Sequence, residues 1–191
     1  MGLWLSGEAD ADKLLTDKPI ALVIGMVLDQ QVPFERAFSA PLELQRRLGK
    51  PLTAKLVAKT DQDALREAFS RTKALHRFPG AMADRVQQLC ELVVEEWGGH
   101  AERIWTTAGD AEELMSRLKR LPGFGEQKAK IFMALLGKQL ACRPRGWRTV
   151  ASPYADAGTT MSIADIKDQA TLDKVRSFKR AAKAAHRAAQ A

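Results

Sequence analysis

Apolar residues recur at helical spacing along most of the chain, and no long run alternates apolar with polar positions. Residues 20–28 form the most apolar run, in which Ile20, Val23, Ile24, Val27 and Leu28 share one helical face. Similar spacing recurs in later segments, and no internal repeat is apparent. The pattern therefore predicts an all-α fold.

Proline and glycine mark the ends of the predicted helices. The segment FERAFSAPLELQRRLG predicts short helices that are interrupted at Pro41 and stopped at Gly49. A Phe-Pro-Gly turn at residues 78–80 is expected to precede a long amphipathic helix, which Gly98 and Gly99 end. Residues 142–162 are rich in proline and glycine and should be irregular, whereas 171–191 predict a basic, alanine-rich helix.

A tight turn, LPGFGEQKAKIF, lies at residues 121–132 between two predicted helices. Glycine tolerates positive φ and lets another backbone approach closely. Free N–H groups and the positive end of the helix dipole meet at the start of the second helix, where a DNA phosphate would fit. Lys128 and Lys130 follow on that helix. The alternative is an ordinary helical corner with solvated lysines.

Charge and composition narrow the possible partners. The 191 residues carry a net charge of +7 and a pI near 9.6, which favours a polyanion, with nucleic acid ahead of an acidic membrane surface. Cys90 and Cys142 are the two cysteines, too few for a four-thiolate cluster or a Cys₄ zinc site. The N-terminus lacks the features of a signal peptide, and no apolar run approaches the ~20 residues of a membrane helix. A soluble cytoplasmic protein without an iron–sulfur cluster is expected.

Three segments resemble, in order, the HhH-GPD superfamily of base-excision DNA glycosylases. LPGFGEQKAKI resembles its helix–hairpin–helix, IGMVLDQQVPFERA its glutamine-carrying helix and loop, and FPGAMADRVQQLCELVVEEWGG a third segment between them. The resemblance implies a two-lobed helical fold with a core at 18–140 that contains the hairpin at 111–137. Residues 1–17 and 141–191 would form the second lobe, which ends in the basic C-terminal helix.

The resemblance also implies the residues that bind DNA. A glycosylase extrudes a nucleotide and fills the gap that it leaves, and Gln31, with Gln30 beside it, matches the family's gap-filling position. The alternative is that these glutamines merely end a helix. Together with the hairpin, the expected DNA-binding residues are Gln30, Gln31, Gly123, Phe124, Gly125, Lys128 and Lys130.

One departure from the family concerns the lysine of bifunctional members, which attacks the sugar and forms a Schiff base. That position, the second residue after the second hairpin glycine, is Gln127 here. Glutamine cannot form a Schiff base, so lyase chemistry should be absent. Lys128 comes next, but one residue turns it about 100° around the helix. We expect Lys128 to be a phosphate contact or a surface lysine.

A second departure concerns the catalytic aspartate, which the family places in a VDTH-like segment after the hairpin helix. The corresponding ACRPRGWRTVASPY contains no acid. Asp165 is the candidate replacement, with a helix cap or first-turn acid as the alternative, and Asp156 is expected in a solvated loop. Asp29 could cap the helix after Pro33 or lie in the cleft.

Aromatic residues could stack on a flipped base, and Trp147 and Tyr154 in the irregular segment are the candidates for the base pocket. Packing in the core or at a hinge is the alternative for both.

Three functions fit these observations. The first is a monofunctional glycosylase that acts on double-stranded DNA as a monomer near the nucleoid. It would need no metal or cofactor, apart from a monovalent cation that the hairpin could hold. The second is a catalytically silent DNA-binding or damage-sensing protein on the same scaffold. The third is a general basic helical protein that binds RNA or nucleoid DNA.

Overall fold

The computed structural model describes residues 2–188, without the side chains of His186 and Ala188. In this part of the chain the helices are α1 (Ala9–Asp17), α2 (Pro19–Leu28), α3 (Phe34–Leu48), α4 (Ala54–Lys59), α5 (Gln62–Ser70), α6 (Pro79–Trp97), α7 (Arg103–Thr106), α8 (Ala111–Arg120), α9 (Glu126–Gln139), α10 (Trp147–Val150) and α11 (Gln169–Ala188). A 3₁₀ turn at Ile163–Asp165 precedes α11. No strand occurs among residues 2–188, so the all-α prediction is confirmed.

The helices share one connected hydrophobic core that extends from Leu3 to Val175. Helix α1 packs on α2 and α3, α6 packs on α4 and α5, and α8 packs on α9. The 3₁₀ turn lies against α9 and α11. Nearly all of α2 and half of α9 are buried, so the ends of these two helices are rigid positions for a site.

Helix α3 is continuous through Pro41, so the predicted interruption there is wrong. Proline removes one backbone hydrogen bond, but Pro41 and its neighbours Ala40 and Leu42 are buried, and α3 packs on α1 and α2. A Cβ atom at Gly25 would lie 2.6 Å from Cδ1 of Phe38, which shows how closely α2 and α3 approach. The tertiary contacts therefore outweigh the local cost of the proline.

The glycines at helix ends behave as predicted. Gly49 ends α3 and Gly98 ends α6, each in the left-handed region at a φ of 65°. None of the helices described here is long and apolar enough to cross a membrane.

Candidate DNA-binding and base-excision site

The turn between α8 and α9 is held by buried apolar side chains. Phe124 is buried, and its ring meets that of Phe132 edge to face with centroids 5.9 Å apart. Its N–H donates to the carbonyl of Leu121 at 3.0 Å. Gly123 has a φ of 80°, and a Cβ there would lie 2.9 Å from Cδ of Arg85. Phe124 thus anchors the turn from inside, which corrects the expectation that it contacts DNA.

The outer side of the turn presents unpaired backbone donors. Gly123, Gly125, Glu126 and Gln127 are exposed, and no acceptor among residues 2–188 lies within hydrogen-bond distance of their N–H groups. The last three of these groups belong to the start of α9, where the helix dipole is positive. The corner therefore has the geometry of an anion site.

Both positively and negatively charged side chains lie around this turn. Lys130 forms an ion pair with Glu126 at 3.1 Å. The pKa of Glu126 is lowered by its hydrogen bond and charge interaction with Lys130, and further by Lys119. The lysines therefore more than balance the single carboxylate at this end of α9.

A cavity of about 330 Å³ lies beside the hairpin. This volume is within the range of about 300–1,000 Å³ typical of small-ligand pockets. Side chains from α2, α9, α11 and the irregular segment line it: Met26, Asp29, Gln127, Lys128, Ile131, Tyr154, Met161, Phe178, Lys179 and Ala182. We call this cavity the hairpin pocket.

Gln127 and Tyr154 meet in the hairpin pocket. The side-chain amide of Gln127 donates to the Tyr154 hydroxyl at 2.8 Å. Gln127 is exposed and Tyr154 is half-buried, so this pair forms part of the cavity wall and faces solvent. The structure therefore joins a residue from the hairpin to one of the predicted base-pocket aromatics.

Lys128 points into the hairpin pocket, which corrects the expectation of a phosphate contact or surface lysine. Its Nζ donates to the backbone carbonyl of Met26 at 2.6 Å and to that of Val27 at 3.4 Å. These carbonyls belong to the last turn of α2, which favours a cation. Burial lowers the pKa of Lys128 to about 8, although the charge of Asp29 acts to raise it.

Asp29 follows α2 directly and also lines the hairpin pocket. Its side chain is half-buried, and no donor among residues 2–188 lies within hydrogen-bond distance of the carboxylate. Burial raises the pKa of Asp29, while Lys179 and Lys128 act to lower it. Of the two positions that the sequence left open for Asp29, the structure shows the one in the cleft.

The two glutamines in the loop between α2 and α3 have different environments. The amide of Gln30 donates inward to the carbonyl of Val27 at 2.7 Å, and its oxygen accepts from Arg85 at 3.3 Å. Gln31 is exposed, with a φ of 56° that is uncommon for a residue other than glycine. Gln31 therefore presents its side chain to solvent, whereas the side chain of Gln30 is held within the protein by Val27 and Arg85.

His76 fixes this loop from below. It is buried, its Nδ1 accepts the N–H of Phe78 at 3.1 Å, and its Nε2 lies 2.8 Å from the carbonyl of Gln30. Since Nδ1 is an acceptor, the ring proton sits on Nε2 and is donated to Gln30. Burial lowers the pKa of His76, which keeps the ring neutral. Phe78, whose N–H binds His76, is 43% exposed, so its aromatic ring lies at the surface near the loop that carries Gln30 and Gln31.

The family assignment follows from a match over most of the chain. Residues 24–191 match the model of the HhH-GPD superfamily base excision DNA repair protein. The chain belongs to this superfamily. No curated protein and no solved structure matches the chain. Membership implies a role in base excision repair and DNA as the substrate.

Asp165, the candidate catalytic carboxylate, lies outside the hairpin pocket of this HhH-GPD protein. It forms a capping box with Ser162, accepts from the N–H of Met161 at 2.9 Å, and pairs with Lys138 at 2.6 Å. Asp165 therefore stabilises the 3₁₀ turn against α9, as the alternative interpretation expected.

Trp147 is also placed elsewhere, which corrects its assignment to the base pocket. It packs over Gly137, where a Cβ would lie 2.4 Å from the indole, and it lines a different cavity with Lys138 and Asp165.

The sequence identified helix α11 as a basic helix, but it gave no reason to select the apolar Phe178. Phe178 and Lys179 line the hairpin pocket, and Phe178 is 39% exposed. Lys179 and Arg176 lie over the ring of Phe34, with the Lys179 Nζ 5.2 Å from its centroid, and Arg176 pairs with Glu35. These contacts dock the basic helix on α3, beside the pocket of the HhH-GPD core.

Proposed function

We propose that this HhH-GPD protein is a monofunctional DNA glycosylase, which hydrolyses the N-glycosidic bond of a damaged or mispaired base and leaves an abasic site. The observation that carries the proposal is a base-sized pocket directly beside the unpaired amides of the hairpin. A phosphate bound by those amides would bring the adjoining nucleotide to the mouth of the pocket. The exposed Gln31 would fill the gap left in the duplex.

The amines of the pocket support hydrolysis without a lyase step. Gln127 stands where bifunctional relatives carry a lysine, and its amide is not a nucleophile. The neighbouring Lys128 donates to the carbonyls of Met26 and Val27, so its amine is engaged with α2. Lys179, the other amine that lines the pocket, lies over the ring of Phe34. We therefore infer that water is the nucleophile at the sugar carbon.

A panel of duplexes with single lesions tests this function. The wild-type protein should release at least one damaged or mispaired base, and the strand should break only after alkali. Treatment with borohydride should trap no covalent adduct. Excision of no lesion across a broad panel would favour a silent damage sensor. A trapped adduct that Lys128→Arg abolishes would replace the monofunctional mechanism with a lyase.

The hairpin contact is tested at Gly125. A Cβ at this position meets no heavy atom within 4 Å, and the φ of −92° suits any residue, so Gly125→Leu should fold normally. The new side chain would stand in front of the free amides and should weaken duplex binding about tenfold, equally on all sequences. A salt titration of the dissociation constant measures this effect.

Gly125→Ala supplies a graded control, because its smaller side chain should produce a smaller loss. Identical binding by wild type and Gly125→Leu at every salt concentration would show that DNA does not approach this corner.

A further inference from the structure

A hydrolytic glycosylase needs a carboxylate near the sugar, because positive charge develops there as the base departs. The segment in which the family places that group holds no acid before Asp156, which is exposed, and Asp165 is occupied by its cap and by Lys138. Of the ten residues that line the hairpin pocket, Asp29 is the one that carries a carboxylate.

The carboxylate of Asp29 is available to interact with the positive charge that develops on the sugar during the reaction. No donor from residues 2–188 satisfies its oxygens, in contrast to Asp165, which accepts hydrogen bonds from Lys138, Thr159, Met161 and Ser162. Burial raises the pKa of Asp29, and the positive charges of Lys179 and Lys128 act in the opposite direction. Lys128 is itself held by the carbonyls of α2, so its charge has a fixed position.

We propose that Asp29 is the catalytic carboxylate of this pocket, displaced along the chain from its position in the family to the end of α2. It stabilises the positive charge that develops on the sugar as the base departs. The bond between C1′ and the base nitrogen breaks, and its electron pair leaves with the base. A water oxygen then adds to C1′, and Asp29 accepts the proton that the water loses and returns it to solvent. A base that departs as an anion takes a proton from solvent.

This inference rests on the proposed glycosylase function, but one test of it does not require the lesion to be known. A duplex with a cationic pyrrolidine in place of one sugar imitates the charge of the transition state, and a tetrahydrofuran duplex is its neutral counterpart. We expect the wild type to bind the cationic duplex more tightly by about tenfold or more. Asp29→Asn should lose this preference and retain the affinity for the neutral duplex.

Glu35→Gln is the matched control. Glu35 is close enough to interact with the charge of Asp29, yet it pairs with Arg176 and does not line the pocket. Both substitutions remove one negative charge, so a long-range effect on DNA affinity would be the same in each. Glu35→Gln should keep the preference, and a preference that survives in Asp29→Asn would overturn the assignment.

Activity provides the second test. On a lesion that the wild type excises, Asp29→Asn should reduce the single-turnover rate by about 100-fold or more, whereas Glu35→Gln should remain within about threefold. A wild-type rate that Asp29→Asn leaves unchanged would refute the role of Asp29 while the glycosylase function stands. If the wild type excises nothing, the proposed function fails, and the binding preference still decides whether Asp29 faces a cation.

Discussion

Replacing Asp165 by alanine should lower the free energy of unfolding by about 3–5 kcal/mol. The Asp165 side chain is 4% exposed and that of its partner Lys138 is 16% exposed, so removing one leaves the other charge buried. The substitution also removes the acceptor for the N–H groups of Met161 and Ser162. Urea denaturation followed by circular dichroism would measure the loss.

Asp156→Ala is the control for this prediction, because Asp156 is exposed in the same irregular segment. It should change the free energy of unfolding by no more than about 0.5 kcal/mol. If Asp165→Ala proved equally harmless, the ion pair and capping box would not stabilise the fold as the geometry indicates. Loss of activity in a fully stable Asp165→Ala protein would return Asp165 to the catalytic candidates.

Replacing Gln127 by lysine should create Schiff-base chemistry that the wild type lacks. The new amine would start from the wall of the hairpin pocket, where the Gln127 amide now contacts Tyr154. It could attack C1′ of an abasic site, and borohydride would reduce the resulting imine to a covalent protein–DNA adduct. We expect at least about tenfold more adduct than with wild type, measured by a denaturing gel after incubation with an abasic duplex.

Gln127→Arg distinguishes the effect of a nucleophilic amine from the effect of an added positive charge. Arginine adds the same positive charge, but its guanidinium stays protonated and does not form the imine. It should therefore bind the abasic duplex as Gln127→Lys does and give no more adduct than the wild type. Equal trapping by the lysine and arginine variants would show that residue 127 does not face the sugar.

The sequence was sufficient for most of the fold and for the hairpin, because both depend on local patterns. Helical periodicity predicted the buried helices, and glycine placed the ends of α3 and α6. The paired glycines of the hairpin likewise identified a turn with free amides. Pro41 was misjudged because its local cost is offset by packing against helices distant in sequence.

The composition of the pocket could not be predicted in the same way, because its walls come from four distant parts of the chain. Lys128 was expected at the surface from its rotation on α9, yet that rotation directs it toward the carbonyls at the end of α2. Asp29 and Phe178 enter the pocket only because α2 and α11 converge on α9. The sequence offered Trp147 for the base pocket and Asp165 as the catalytic carboxylate. The close contact of Trp147 with Gly137 and the capping box of Asp165 place both residues outside the hairpin pocket.

A crystal structure of the protein with a duplex that carries an abasic-site analogue would test the central claim most directly. It should show phosphate oxygens within about 3 Å of the free amides of Gly123, Gly125, Glu126 and Gln127, and the sugar of the analogue in the hairpin pocket against Asp29. Gln31 should lie in the gap of the duplex. A duplex bound on another face, with the hairpin amides in solvent and the pocket away from the sugar, would contradict the account.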